Sequence, residues 1–462
     1  MRGLLNAEEF SIVHSPLTSQ QQNWVDQAWQ AVDIDSLRQL VVDMVSIASP
    51  TGDEGPLAKY LTGRLQAAGL LATQQQIDEH QANAVGVLKG AGGSDLLLYA
   101  PIDTLTVGEV SEDVPWIGPD LRADMRSEPV VTGDWVMGLG ASNPKGHGAC
   151  IIAAAEAIAS AQVPLRGDLI VGLGAGGMPT NYLNCRGDGR RNVGQGVGCS
   201  FMIEQGIFPD FAIIAKPGWS VAWEEVGLCW FRILVKGDFN YVGSRHRLSY
   251  RNPIVAAASL VGALENWFAE YSASNTSGLV APQGNIGYIH GGWERTASLS
   301  PAACILMVDL RISPRTSPTE AKRQFGVAMA QIQRDSPDLE IAWDMVLSIP
   351  GTRTPPDNWI IQACARAWEA VEGKQHQVQY ATSGATDANI LRNRGIPTAR
   401  VGMPKAIDDQ GFEVDFAMGM NATDLRHMSK LTRLLIHAVV ATCTSTTDAV
   451  SIVHGDEHHR QM

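Results

Sequence analysis

Three short runs constrain what this chain can fold into. LLLYA at 96–100, LIVGL at 169–173 and FAIIA at 211–215 carry no charge and show no polar–apolar alternation. A strand that is apolar at every position must be covered on both faces. The stretch 148–160, rich in Ala and Ile, reads as a buried helix between the first two runs. Two helices precede them. Leu37, Leu40, Val41, Met44 and Val45 repeat at helical spacing after Asp35 and Ser36 as candidate caps, and the helix stops at Ser49-Pro50-Thr51-Gly52. Leu57, Leu61, Leu65 and Ala68 form a second stripe, with Pro56 in its first turn and Gly69 closing it. Strands alternating with helices predict an α/β protein with a mostly parallel sheet flanked by helices.

The texture changes near residue 229. A strand at 229–235 is followed by a helix opening at Asn252-Pro253 and reaching about Tyr271, two strands at 285–290 and 304–312, a helix capped by Ser317-Pro318-Thr319-Glu320, and a strand at 339–346. This β-α-β-β-α-β order is that of a small open-faced sandwich. The earlier alternation resumes at Asp357, so the small domain is inserted in the larger one. The expected division is an N-terminal extension (1–33), a first part of the main domain (34–228), the insert (229–347), a second part (348–445) and a polar tail (446–462) in which His458 and His459 read as solvated.

Composition excludes some partners. The net charge is −13 and no basic tract stands out, so neither nucleic acid nor an anionic membrane is an expected partner. The N-terminal residues lack the pattern of a signal peptide, and no apolar run approaches the roughly 20 residues that span a bilayer. Seven scattered cysteines, none in a CxxC pair, fit a reducing compartment. The expected location is the cytoplasm.

Seven segments, in order over about residues 36–443, resemble those of the zinc aminoacylase, succinyl-diaminopimelate desuccinylase and glutamate carboxypeptidase family. SIASPTGDEGPLAKYLTGRLQAAG (46–69) resembles its opening loop, Gly-Glu and long helix. LLLYAPIDT (96–104) resembles the strand ending in Gly-His-x-Asp-Thr, and GLGASNPKGHGACIIAAAEAI (138–158) the segment Gly-x-Gly-Ala-x-Asp-Met-Lys-Gly-Gly. FAIIAKP (211–217) is similar to the strand ending in Glu-Pro or Asp-Pro. VKGDFNYVGSRHRLSYRNPI (235–254) and VDLRISP (308–314) resemble parts of its inserted dimerisation, or lid, domain. GATDANILRNRGIPTARVG (384–402) resembles the Gly-Gly-Thr-Asp helix and Gly-Ile-Pro strand. The resemblance implies a homodimer, and a site in the cleft between the domains where two zinc ions activate a water.

Carried over position by position, that zinc site is lost. The first His position holds Pro101, the bridging Asp position Asn143, the Glu-pair region Gly174-Ala175-Gly176-Gly177, the acid before Pro217 Lys216, the closing His Met420, and the small-domain His Tyr241. Asp103 is kept. Neutral and cationic groups cannot replace the anionic shell that offsets the desolvation of a dication. No metal and no other cofactor is therefore expected.

Each remaining candidate carries two readings. Lys216 is either an ammonium in the former metal cavity or a solvated strand end. Asp103 either pairs with Lys216 or Lys145 or caps the Thr104 turn. Asn143 either donates its amide to an oxyanion or is a turn residue before Pro144. Ser142 and Lys145 have the spacing of a Ser–Lys nucleophile pair, but Lys145 has an inherited place in the family segment. His147 is either a general acid or base or a structural histidine. Arg245, His246, Arg247 and Arg251 form either a carboxylate clamp or a basic loop, with Tyr241 and Asp387 as further substrate-binding candidates. Trp223-Glu224-Glu225 is either an acid at the domain junction or a charged hinge. GLGAGG and GDGRRNVGQGVG lack the strand-to-helix context of nucleotide binding.

The expected function is a metal-independent hydrolase of an amide or other C–N bond in a small anionic molecule. Proton transfer would fall to His147, Asp103 or Lys145. Two alternatives are a catalytically silent homodimeric binding protein and a hydrolase with one weak metal.

Overall fold

The structure is a computed structural model that describes residues 10–12, 16–180, 194–407, 410, 411, 413, 414 and 416–451. The tail histidines, Cys185 and all of the GDGRRN stretch lie outside these residues. Of the described chain, 224–353 and 379–385 form one compact unit and the rest form the other.

The larger unit is built on a six-stranded sheet in the order Leu71–Gln76, Ala82–Leu88, Leu169–Gly174, Leu96–Pro101, Phe211–Ala215, Thr398–Val401. The last four strands run parallel and the first two join antiparallel. The three apolar runs are the centre of the sheet and are buried along their whole length. Leu97, Tyr99, Ile170, Ala212 and Ile214 face a core closed by Cys199, Met202 and Ile203 on one side of the cluster and Ala388 and Leu391 on another. The Lys145–Ser160 helix packs on strands of the same sheet and against the Leu425–Cys443 helix. That arrangement puts the C-terminal ends of Leu96–Pro101 and Phe211–Ala215 next to helix and loop starts, where α/β sheets collect their functional side chains.

Local signals account for most element ends. The Ile34–Ser46 helix is capped by Asp33, two residues before Asp35 and three before Ser36, because its carboxylate accepts from the Asp35 and Ser36 amides. Gly69 adopts φ +85° just past the Gly55–Ala67 helix, a left-handed closure that suits glycine. Part of the N-terminal extension forms the Ser19–Gln30 helix, capped by Thr18 in a reciprocal box with Gln21.

The smaller unit is an antiparallel sheet in the order Gly284–Gly291, Ala303–Ile312, Gly227–Lys236, Ile341–Ile349. With the Pro253–Asn275 and Pro318–Asp335 helices it makes the β-α-β-β-α-β insert. Phe231, Ile233 and Val235 alternate inward with Leu306, Val308 and Leu310, and meet Leu260, Leu264, Phe268 and Phe325 from the two helices. Residues 379–385 join this unit because Thr382 exchanges backbone hydrogen bonds with Leu279 and Ala281. Among the described residues no helix is long and apolar enough to cross a membrane.

Phe325 is fully buried and stacks on Phe231 at 4.0 Å. Phe325→Ala is expected to cost about 3–5 kcal/mol, read as a lower urea midpoint for this unit. A loss below about 1 kcal/mol would show that the two rings do not share a close-packed core.

Candidate functional site

Two polar clusters form at the strand ends of the larger unit. The first is centred on Asp103, just beyond the Leu96–Pro101 strand. Its side chain is fully buried. Oδ2 accepts from the Thr51 hydroxyl at 2.7 Å and the Met178 amide at 2.9 Å, and Oδ1 from the Gly177 amide at 2.8 Å. Neither Lys216 nor Lys145 is its partner. This corrects the expected ion pair: Asp103 is held by neutral donors from a loop that approaches closely enough to supply them.

That loop is the glycine stretch 174–177. A Cβ on Gly174 would lie 2.2 Å from the Tyr99 hydroxyl, and one on Gly177 would lie 2.3 Å from the Pro101 Cβ. Glycine therefore lets the loop close over the place where the resemblance expects a histidine. Its second glycine, Gly176, donates to Glu54 Oε1 at 2.9 Å. Glu54 also accepts from the Gly52 amide at 3.0 Å and the Gln81 amide at 3.0 Å. Three consecutive amides thus hold two buried carboxylates. Burial, and then the charge of Asp103, push the Glu54 carboxyl up to about 7. Asp387, a substrate-binding candidate, is buried and accepts from the Tyr99 hydroxyl at 2.7 Å.

The second cluster surrounds Lys216, which follows the Phe211–Ala215 strand and is 7% exposed. Its Nζ donates to Asn143 Oδ1 at 3.2 Å. Asn143 is set by its own backbone: the amides of Ser142 and Asn143 both donate to the Met420 carbonyl at 3.0 Å. Positions 143, 216 and 420, far apart in sequence, therefore meet.

His147 and Lys145 sit in the first turn of the Lys145–Ser160 helix, both fully buried. The His147 Nδ1 lies 2.7 Å from the Ser142 carbonyl, and its Nε2 accepts from the Met403 amide at 3.3 Å. Burial, with Lys216 nearby, lowers its pKa to about 3. Both ring nitrogens are occupied, an arrangement that suits the structural one of its two readings. Lys145 donates to the Ile47 carbonyl at 2.9 Å, and burial lowers it to about 7. Its ammonium is bonded to that carbonyl, and no hydrogen bond between the Ser142 and Lys145 side chains is found among the described residues.

The basic loop belongs to the smaller unit. Arg251 pairs with Asp238 and Glu340, both at 3.1 Å, so it is committed to acids of its own unit and is not a free clamp. Arg245 lies over the Tyr250 ring at 4.5 Å. Arg247 and Tyr241 are exposed, and the Tyr241 backbone pairs with Leu299. Glu224 is bound by Arg315 at 2.9 Å, so it is a structural acid.

The donor chemistry does not fit a metal pair. Pro101 offers no ligand atom, Asn143 spends its oxygen on an ammonium, and Lys216 brings a positive charge. Among the described residues no three His, Cys, Asp or Glu side chains gather as they would around an ion.

Sequence reasoning missed Glu54 and Tyr99. Glu54 stands just before a helix, where an acid reads as solvated, and Tyr99 lies inside an apolar run. Glu54 makes a pH test possible. Its folded pKa, about 7, lies above the ordinary 4.5. Between those values the folded state keeps a proton that the unfolded chain has released, so stability falls as pH rises through this window. The slope is at most about 1.4 kcal/mol per pH unit. Glu54→Gln is expected to flatten it in urea titrations from about pH 4.5 to about pH 7. Lys145 acts above that range, with the opposite sign. Identical slopes in both proteins would mean that Glu54 ionises freely.

No family model matches the chain. One curated relative, the N-formyl-4-amino-5-aminomethyl-2-methylpyrimidine deformylase of Bacillus subtilis (strain 168), is 27% identical over 191 residues. That match covers 39% of this chain and 38% of the relative's length. Similar solved structures include human carnosine dipeptidase 1, with TM-score 0.66 and 14% identity over 93% of this chain and 100% of that one. An M20-family metallo-carboxypeptidase from Sulfolobus solfataricus has TM-score 0.62 and 13% identity over 88% and 99%. A hydantoinase/carbamoylase-family amidase from Burkholderia multivorans has TM-score 0.60 and 11% identity over 90% and 99%. With its parallel sheet and β-α-β-β-α-β insert, the chain has the fold shared by the M20 metallopeptidases and the hydantoinase/carbamoylase amidases.

Proposed function

We propose that the chain binds a small carboxylate-bearing molecule beside Lys216 and Asn143 and hydrolyses an amide-type C–N bond in it without a metal at this centre. The contact between the Lys216 ammonium and the Asn143 side chain, 3.2 Å apart at two positions where the resemblance expects anionic ligands, carries this reading. A fixed ammonium supplies positive charge where a dication would, and suits a carboxylate or a developing oxyanion. The C–N bond class is supported by the relatives, which are named as a deformylase, a dipeptidase, a carboxypeptidase and an amidase.

A second reading, binding without turnover, is favoured by a separate observation. Asp103 and His147 are committed to backbone and hydroxyl donors or acceptors, and Lys145 is fully buried. Burial lowers Lys145 to about 7.

In either reading the protein is a cytoplasmic homodimer. Support for the dimer comes from the outer face of the Pro253–Asn275 helix, where Ile254 and Val255 are exposed, and from the edge strand Gly284–Gly291, where Ile289 is exposed. The six described cysteines are free.

The test uses chelator-treated protein with N-formyl, N-acyl and N-carbamoyl amino acids, monitoring hydrolysis, binding and bound metal together. Turnover is expected to persist without metal and to fall about 100-fold or more in Lys216→Met, the scale of losing one oxyanion-stabilising donor. Binding with no turnover selects the second reading. Turnover that requires about one tightly held metal ion per chain overturns both.

A further inference from the structure

We propose that His147 is a positioning residue: a neutral imidazole that ties the Asn143 segment to the strand pair carrying Lys216, and so sets the distance between the two side chains. The inference takes Lys216 and Asn143 as the working pair, and its test needs no substrate.

The contacts close a ring. Asn143 Oδ1 accepts from Lys216 Nζ at 3.2 Å. The Lys216 amide donates to the Val401 carbonyl at 2.9 Å, at the end of the parallel pairing of Phe211–Ala215 with Thr398–Val401. Two residues on, the Met403 amide donates to His147 Nε2, and His147 Nδ1 reaches the carbonyl of Ser142, the residue before Asn143. Intervening Gly402 passes so close that a Cβ there would lie 1.8 Å from the Lys216 carbonyl oxygen. No other described residue links the Ser142 carbonyl side chain-to-backbone with the Met403 amide.

The partners dictate the chemical state of the ring. A backbone carbonyl can only accept, so Nδ1 carries the hydrogen. A backbone amide can only donate, so Nε2 is bare. A protonated ring would lose its acceptor and place a second cation near Lys216 in a fully buried position. Clamping therefore requires the neutral Nδ1–H tautomer, and the environment that depresses the His147 pKa enforces it. The resembling family segment has glycine at this place, which has no side chain to make either bond. The histidine therefore accompanies the exchange of ligands for Asn143 and Lys216.

The first test is histidine-selective nitrogen NMR of the intact protein. One ring should show the Nδ1–H tautomer without titrating between roughly pH 5 and 8, and its signal should vanish in a His147 variant. The opposite tautomer, or titration in that range, overturns the proposal. The second test follows acylation of Lys216 by trace acetic anhydride, read by peptide mass spectrometry. His147→Phe keeps a ring and removes both bonds. It should change the Lys216 rate about threefold or more, the equivalent of one net hydrogen bond. Asn143→Ala should change it in the same direction, and the double variant should add nothing. His147→Gln, which offers one donor and one acceptor, should recover part of the wild-type rate. A folded His147→Phe protein that labels Lys216 like wild type overturns the proposal. If that variant does not fold, the tautomer and titration measurement decides.

Discussion

Two buried carboxylates held by neutral donors set the terms for one end of this site. Asp103 and Glu54 both lie fully inside the larger unit, where an ionised acid is costly unless donors surround it. The Gly176, Gly177 and Met178 amides supply them, with the Thr51 hydroxyl, the Gly52 amide and Gln81. Hydrogen bonds to a charged group are each worth about 1.5–3 kcal/mol, so such a shell can stand in for a counter-ion. It works only because the loop presses against Tyr99 and Pro101 at distances that exclude a Cβ. Glycine at 174 and 177, proline at 101 and the retained Asp103 are therefore one structural unit.

The same logic joins the other exchanged positions. Lys216, Asn143, Met420 and His147 are joined by a chain of hydrogen bonds. The ammonium meets the amide oxygen, the Met420 carbonyl orients the asparagine backbone, and the imidazole links that backbone to the strand pair bearing the lysine. A site decaying without constraint would leave polar atoms stranded. Here the Lys216 ammonium, the Asn143 side-chain oxygen and both ring nitrogens of His147 have partners whose chemistry matches them.

Fold and chemistry separate in this protein. The architecture is shared with metallopeptidases and amidases at 11–14% identity, because apolar strands and capped helices can be conserved in pattern while side chains at the strand ends change. Function rests on those ends.

What the amino-acid sequence determined by itself was everything that depends on local periodicity and on residue type. All-apolar runs at 96–100, 169–173 and 211–215 dictated central, doubly covered strands. Pro101, Asn143 and Lys216 showed, by residue type alone, that three positions of the resembling zinc shell carry no anionic ligand. Tertiary structure decided the pairings. That Asp103 would be met by the amides of Gly177 and Met178 and not by a lysine, that the Nε2 of His147 would be taken, and that Glu54 would be buried all depend on contacts across tens to hundreds of residues. A sequence shows which donors and acceptors a chain carries. Only close packing, with its angstrom-scale tolerance for a missing Cβ, chooses which of them meet.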